Sequence, residues 1–110
     1  MERILYKSPA FEAFYNSLNL RVKKKVDYIF EYLRTEKNVS TKSVKHLTNT
    51  DFYEMRISVD NEYRVILFTI DHDNFLEANE IILLNGFIKK STTDYERQIQ
   101  LALKIMEEFL

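Results

Sequence analysis

Two hydrophobic periods divide the chain. In the first third, Phe11, Phe14, Tyr15 and Leu18 fall at i, i+3, i+4 and i+7, one face of a helix. Ser8-Pro9 marks its start, because serine caps free backbone amides and proline is tolerated in the first turn. A second helix is predicted from about Leu20 to Glu36. Its buried stripe is Val22, Val26, Ile29, Phe30 and Leu33, with Lys23, Lys24 and Lys25 largely off it. Joined at Asn19, the two helices make a hairpin. Ahead of them "ERILYK" (Glu2 to Lys7) predicts a short strand.

The segment from Asn38 to Thr50 is polar and is expected to be mostly irregular. After it the period drops to two. Tyr53, Met55, Ile57 and Val59 alternate with Glu54, Arg56 and Ser58, the pattern of a half-exposed strand. Val59 to Arg64 reads as a turn and Tyr63 to Ile70 as the returning strand. After a longer loop (Asp71 to Asn79), Glu80 to Ile88 is apolar on both faces and predicts a central strand. The final helix is expected to open at Thr93, where Thr93 and Glu96 have the spacing of a capping box. Ile99, Ala102, Leu103, Met106 and Leu110 form its apolar stripe. The order is a short N-terminal strand, a two-helix hairpin, a three-stranded antiparallel meander and a C-terminal helix. That is an α+β fold with helices packed on a small sheet.

Composition adds bounds. At 110 residues with 45% hydrophobic and 30% charged positions, the chain is expected to be one soluble domain, 1–110. No apolar run approaches the ~18 residues of a membrane span, so no membrane partner is expected. The N-terminus lacks an apolar signal core, and the absence of cysteine excludes disulfides and thiol chemistry; a cytoplasmic location is expected. The net charge of −1 conceals a split: residues 1–50 carry ten Lys+Arg against five Asp+Glu, residues 51–110 six against twelve. A basic face for a polyanion is compatible with that split, and so is an ordinary solvated surface.

Four stretches, "VKHL", "FYEMRIS", "EYRVILF" and "ILLNGFIKKSTTDYERQIQLA", resemble the RelE/ParE superfamily of toxins from type II toxin–antitoxin pairs, in particular its HigB-like, phage-associated branch. Tyr-Glu-x-Arg, Tyr-Arg and Gly-Phe-x-Lys-Lys, in that order and at these separations, carry the resemblance. It extends over essentially the whole chain and is strongest from Val44 to Ala102. It implies a RelE-like fold and a small toxin that cleaves mRNA on the ribosome, neutralised by a cognate antitoxin in a hetero-oligomer. Two other functions in the superfamily's range are gyrase inhibition, as in the ParE branch, and a catalytically degenerate module that only binds its antitoxin.

RNA cleavage without a metal uses the substrate's own 2′-hydroxyl. It needs a base for that hydroxyl, a cation for the phosphorane, and an acid for the departing 5′-oxygen. The two histidines, His46 and His72, lie far apart in sequence and outside any ligand pattern, so neither metal nor other cofactor is expected. The catalytic candidates are Arg64, Arg56, Lys90, Lys89 and Glu54. Arg64 opens an apolar strand and must reach either an anion or an ion pair with Glu54 or Glu62. Arg56 shares a face with Glu54, which is either a base or the structural partner of an arginine. Lys89 and Lys90 stand where the resemblance places a catalytic cation; if the strand continued, only one would face the site. RNA-binding candidates are Lys45, His46, Tyr95, Thr92 and Thr93. The threonines stand at a helix start, where free amides and the dipole favour a phosphate, or merely cap the helix. Tyr95 can stack on a base or anchor the core, and His46 can titrate near neutrality or sit idle on the surface. The chain ends "MEEFL", with no Tyr or His to serve as acid there.

Overall fold

The structure, a computed structural model, describes residues 2–110. Its elements are β1 (Ile4–Lys7), α1 (Pro9–Ser17), α2 (Leu20–Thr35), β2 (Val44–His46), β3 (Phe52–Val59), β4 (Asn61–Thr69), β5 (Glu80–Ile88) and α3 (Thr92–Phe109). The strands form a five-stranded sheet in the order β1-β5-β4-β3-β2, with β1 parallel to β5 and the other pairs antiparallel. The expected meander is β3-β4-β5. β5 is an interior strand between β1 and β4, which explains its apolar character on both faces.

Alternation sorts the side chains into two layers. Met55, Ile57, Tyr63, Val65, Leu67, Ile81 and Leu83 pack under α1 and α2, against Phe11, Val22, Val26, Ile29, Phe30 and Leu33. Phe52, Ile66, Ile82, Leu84 and Phe87 face the other way, under Ala102 and Ile105 of α3. Both helices of the hairpin start on side-chain caps. Ser8 Oγ accepts from Phe11 N at 3.0 Å and itself donates to Leu84 O, tying α1 to β5. Asn19 Oδ1 accepts from Val22 N at 3.0 Å.

Four details depart from the sequence reading. Within the polar stretch before β3, Val44–His46 is a strand; its burial of Val44 in the hairpin's core holds it at the sheet edge. The turn after β3 is far tighter than Val59–Arg64. Val59 pairs opposite Asn61, and only Asp60 leaves the ladder, at φ 65°, which aspartate tolerates better than most residues. The last helix is capped by Ser91, whose Oγ accepts from Asp94 N at 3.2 Å, so the Thr93–Glu96 box does not form. Lys89 N still bonds Glu62 O at 2.7 Å, the cap follows two residues later, and the helix begins at Thr92. Ile105 belongs to the buried stripe of α3, whereas Leu110, beyond its last turn, is exposed.

Candidate functional site

On the α3 face of the sheet, β3 presents Glu54, Arg56 and Ser58, and β4 presents Arg64 directly opposite Arg56. α3 packs over Phe52 of β3, Ile66 of β4 and Ile82, Leu84 and Phe87 of β5 on this face. Beside it lies a cleft of about 430 Å³. Lys45, Glu54, Arg56, Lys89, Lys90, Thr92 and Tyr95 line it, with Ser91 and Glu96 at the helix start. Lys45 reaches the cleft because it pairs opposite Glu54 and so shares its face. The strand ends at Ile88, so the two lysines after it are not forced to opposite sides; both line the cleft. Thr92 is the first residue of α3 and borders the cleft; Thr93 is exposed and does not.

Glu54 organises the arginines. Its side chain is 4% exposed, and its Oε1 lies 3.1 Å from Arg56 Nε and 3.9 Å from Arg64 Nε. One carboxylate therefore stands between two guanidinium groups on neighbouring strands. Arg64 is equally buried at 4%, and the cleft does not reach it. Its remaining partners are Tyr63 O at 2.9 Å and Glu62 Oε1 at 3.5 Å. The Glu62 carboxyl is held below its ordinary pKa, chiefly by a hydrogen bond from the Ser58 hydroxyl and also by the charges of Arg64 and Lys89. Thus the ion pairs that were the alternative readings of Arg56 and Arg64 are present. Arg56 is still 32% exposed and lines the cleft.

Tyr95 does two things at once: its ring meets Phe87 edge-on at 5.2 Å and 89°, and it forms one wall of the cleft. His46 borders the cleft, but it pairs opposite Tyr53, on the other face of the strand from Lys45. Its ring packs against Tyr53 at 5.2 Å, and Nε2 lies 2.8 Å from Thr50 O. Among the described residues no three His, Cys, Asp or Glu side chains are grouped to hold a metal ion. No described helix is long and apolar enough to cross a membrane.

Residues 13–107 match the family model described as phage-derived protein Gp49-like. The chain belongs to this family. No curated protein matches the sequence. Among solved structures the chain is similar to the E. coli toxin RelE, in a double arginine-to-alanine variant in the free state. The TM-score is 0.63 at 12% identity, covering 91% of this chain and 97% of that one. At that identity the likeness carries the fold: this member of the Gp49-like family has the fold of a RelE toxin.

Sequence reasoning missed Asn85. It is buried on β5, its Nδ2 donates to Gln98 O at 3.2 Å and Gln98 Oε1 at 3.0 Å, and its Oδ1 has no partner. Glu54 Oε2 and Arg64 Nε are likewise buried without a hydrogen bond, on the same face of the sheet. A lone amide in the apolar run "EIILLNGFI" was the available signal: a polar side chain there needs a partner from another element, here α3.

Proposed function

We propose that the chain is the toxin of a type II toxin–antitoxin pair, a ribosome-dependent, metal-independent mRNA endonuclease of the HigB-like branch. The observation that carries this reading is the convergence of Lys45, Arg56, Lys89 and Lys90 on one cleft at a helix N-terminus. Such a cleft suits a phosphodiester, because fixed cations and free amides favour negative charge and act most strongly on the doubly charged phosphorane. The substrate's 2′-hydroxyl gives its proton to solvent water as its oxygen attacks phosphorus, the P–O5′ bond breaks, and a 2′,3′-cyclic phosphate and a 5′-hydroxyl result. Lys89, Lys90 and Arg56 stabilise the phosphorane, and Tyr95, whose ring walls the cleft, stacks on a neighbouring base or supplies a proton to the 5′-oxygen. Glu54 and Arg64 are positioning residues in this scheme. The buried carboxylate fixes Arg56 at 3.1 Å, and Arg64 fixes the carboxylate from behind. The partner is a cognate antitoxin, as the RelE/ParE resemblance implies, and the toxin acts in the cytoplasm, where ribosomes are.

Controlled expression of the chain, followed by mapping of mRNA 5′ ends, tests the reading. New ends inside translated codons are expected, with growth arrest. The Lys89→Ala/Lys90→Ala variant is expected to lose at least the roughly 10²–10³ in rate associated with one transition-state donor. Arrest with intact mRNA and damaged DNA would move the assignment to gyrase. Normal growth at verified soluble expression would leave an antitoxin-binding module without catalysis.

A further inference from the structure

The cleft is not the end of the basic surface. β2 stops opposite Met55, so β3 beyond that point has no strand on its outer side. Two further grooves lie there, between this free edge and α2, of about 350 and 510 Å³. Arg56 lines both the cleft and the first groove, and Lys25, Tyr28 and Ser58 line both grooves. The three spaces therefore adjoin one another at the sheet edge. Lys24, Lys25 and Lys42 supply positive charge along the two grooves; among the described residues the one acid lining them is Asp60, paired with Arg21 at 3.3 Å. In the middle stands Tyr28, 67% exposed although it is a large aromatic, with Lys25 Nζ 5.4 Å from its ring centroid. Its neighbour Tyr32 is occupied, since the hydroxyl accepts from Ser40 N at 2.9 Å.

We propose that the two grooves form a second RNA subsite, which holds the single strand flanking the scissile phosphate. The lysines follow the backbone and one base stacks on Tyr28. Alternating cations and a free aromatic face are what a single strand needs, since every unpaired base has a π-face and every link a phosphate. A duplex hides its base faces in the stack and gives Tyr28 nothing to bind. An acidic peptide would satisfy the lysines and leave the ring unused. The inference rests on the cleft being the place where RNA is cut; it adds which part of the substrate lies outside and in what state.

The test is fluorescence anisotropy on the full chain with 2′-O-methylated, uncleavable single strands of 4 and 12 nucleotides. Hairpin RNA and poly-glutamate serve as competitors. The 12-mer is expected to bind at least tenfold more tightly than the 4-mer. Tyr28→Ala should remove about tenfold of that advantage, the scale for one stacked base. Lys25→Ala/Lys42→Ala should reduce the slope of log K against log salt by about 1.4, two phosphates at ~0.7 each. These side chains are exposed, so an unchanged melting temperature is expected and checks the fold. Lys89→Ala/Lys90→Ala should weaken both strands and leave their ratio intact. Equal affinity for the two lengths, or no response to the α2 and Lys42 variants, overturns the subsite. So does displacement of the 12-mer by hairpin or poly-glutamate as readily as by single strand. A length preference without mRNA cleavage on ribosomes would sink the nuclease reading and leave only a single-strand-binding groove; cleavage without length preference would overturn the subsite and keep the nuclease.

Discussion

Arg56 and Arg64 face each other across β3 and β4, and like charges in that register repel unless something stands between them. Glu54 does, almost wholly out of water, where removing one member of a charged cluster leaves the others buried and uncompensated. Glu54→Gln is therefore expected to destabilise the fold by about 2–3 kcal/mol, since the amide keeps an acceptor but loses the charge. For a chain of this size that lowers Tm by on the order of 10 °C, measurable by thermal denaturation. An unchanged Tm would mean that the carboxylate is not what holds the arginines. Arg64 itself was the candidate least readable from sequence. Its position at the start of an apolar strand said that it needed an anion, and both carboxylates it could reach were identifiable. That its guanidinium would be buried beside Glu54 and not line the cleft depends on packing between elements, which no local pattern encodes.

Among the elements, the chain's one glycine has a packing role. A Cβ at Gly86 would stand 2.3 Å from the Phe14 ring, so its absence lets α1 approach β5. Gly86→Ala is expected to cost about 1–3 kcal/mol, the range for overpacking a filled site, read as a lower midpoint in urea. The long loop before β5 is also built. Asp71 accepts from Asn79 N at 3.0 Å and Glu80 N at 2.9 Å, and these backbone donors, that of Glu80 foremost, hold its carboxyl below its ordinary pKa. A depressed folded pKa stabilises the fold above the unfolded value and ceases to do so as pH falls through the folded one. Asp71→Asn should thus be less stable than wild type at neutral pH, and the difference should shrink as pH falls below about 4, the ordinary aspartate value, and vanish once pH is below the depressed folded pKa. A difference independent of pH would refute that linkage.

Helices and long strands were legible because their periods run over many residues; β2 was not, since three residues among hydroxyls carry no period and are held by Met55 and its neighbours across the ladder. Arg3 was invisible for a similar reason. It is buried, donates to Leu33 O at 2.8 Å, Lys37 O at 3.0 Å and Ala78 O at 3.2 Å, and lies over the Phe75 ring at 4.9 Å. It ties the end of α2 to the loop before β5, two segments more than thirty residues apart. Its pKa is lowered by that burial.

For the molecule as a whole, the net charge of −1 says little about where an anion would go. Folding gathers cations from β2, β3 and the β5–α3 junction into one cleft, and those of α2 and Lys42 into the grooves beside it. Sequence supplied the residue types and, by resemblance, the candidate residues; it could not supply which lysines converge, because that depends on where β5 stops and α3 begins. The most direct measurement is cleavage in a reconstituted system: purified chain, ribosomes stalled on a defined mRNA, and primer extension of the product. The expected result is a single cut in the codon at the decoding site, ending in a 2′,3′-cyclic phosphate, insensitive to EDTA added after ribosome assembly at a level that leaves the ribosomes intact. It should be absent from free mRNA and from the Lys89→Ala/Lys90→Ala variant. Intact mRNA on ribosomes to which the folded wild-type chain is bound would contradict the account.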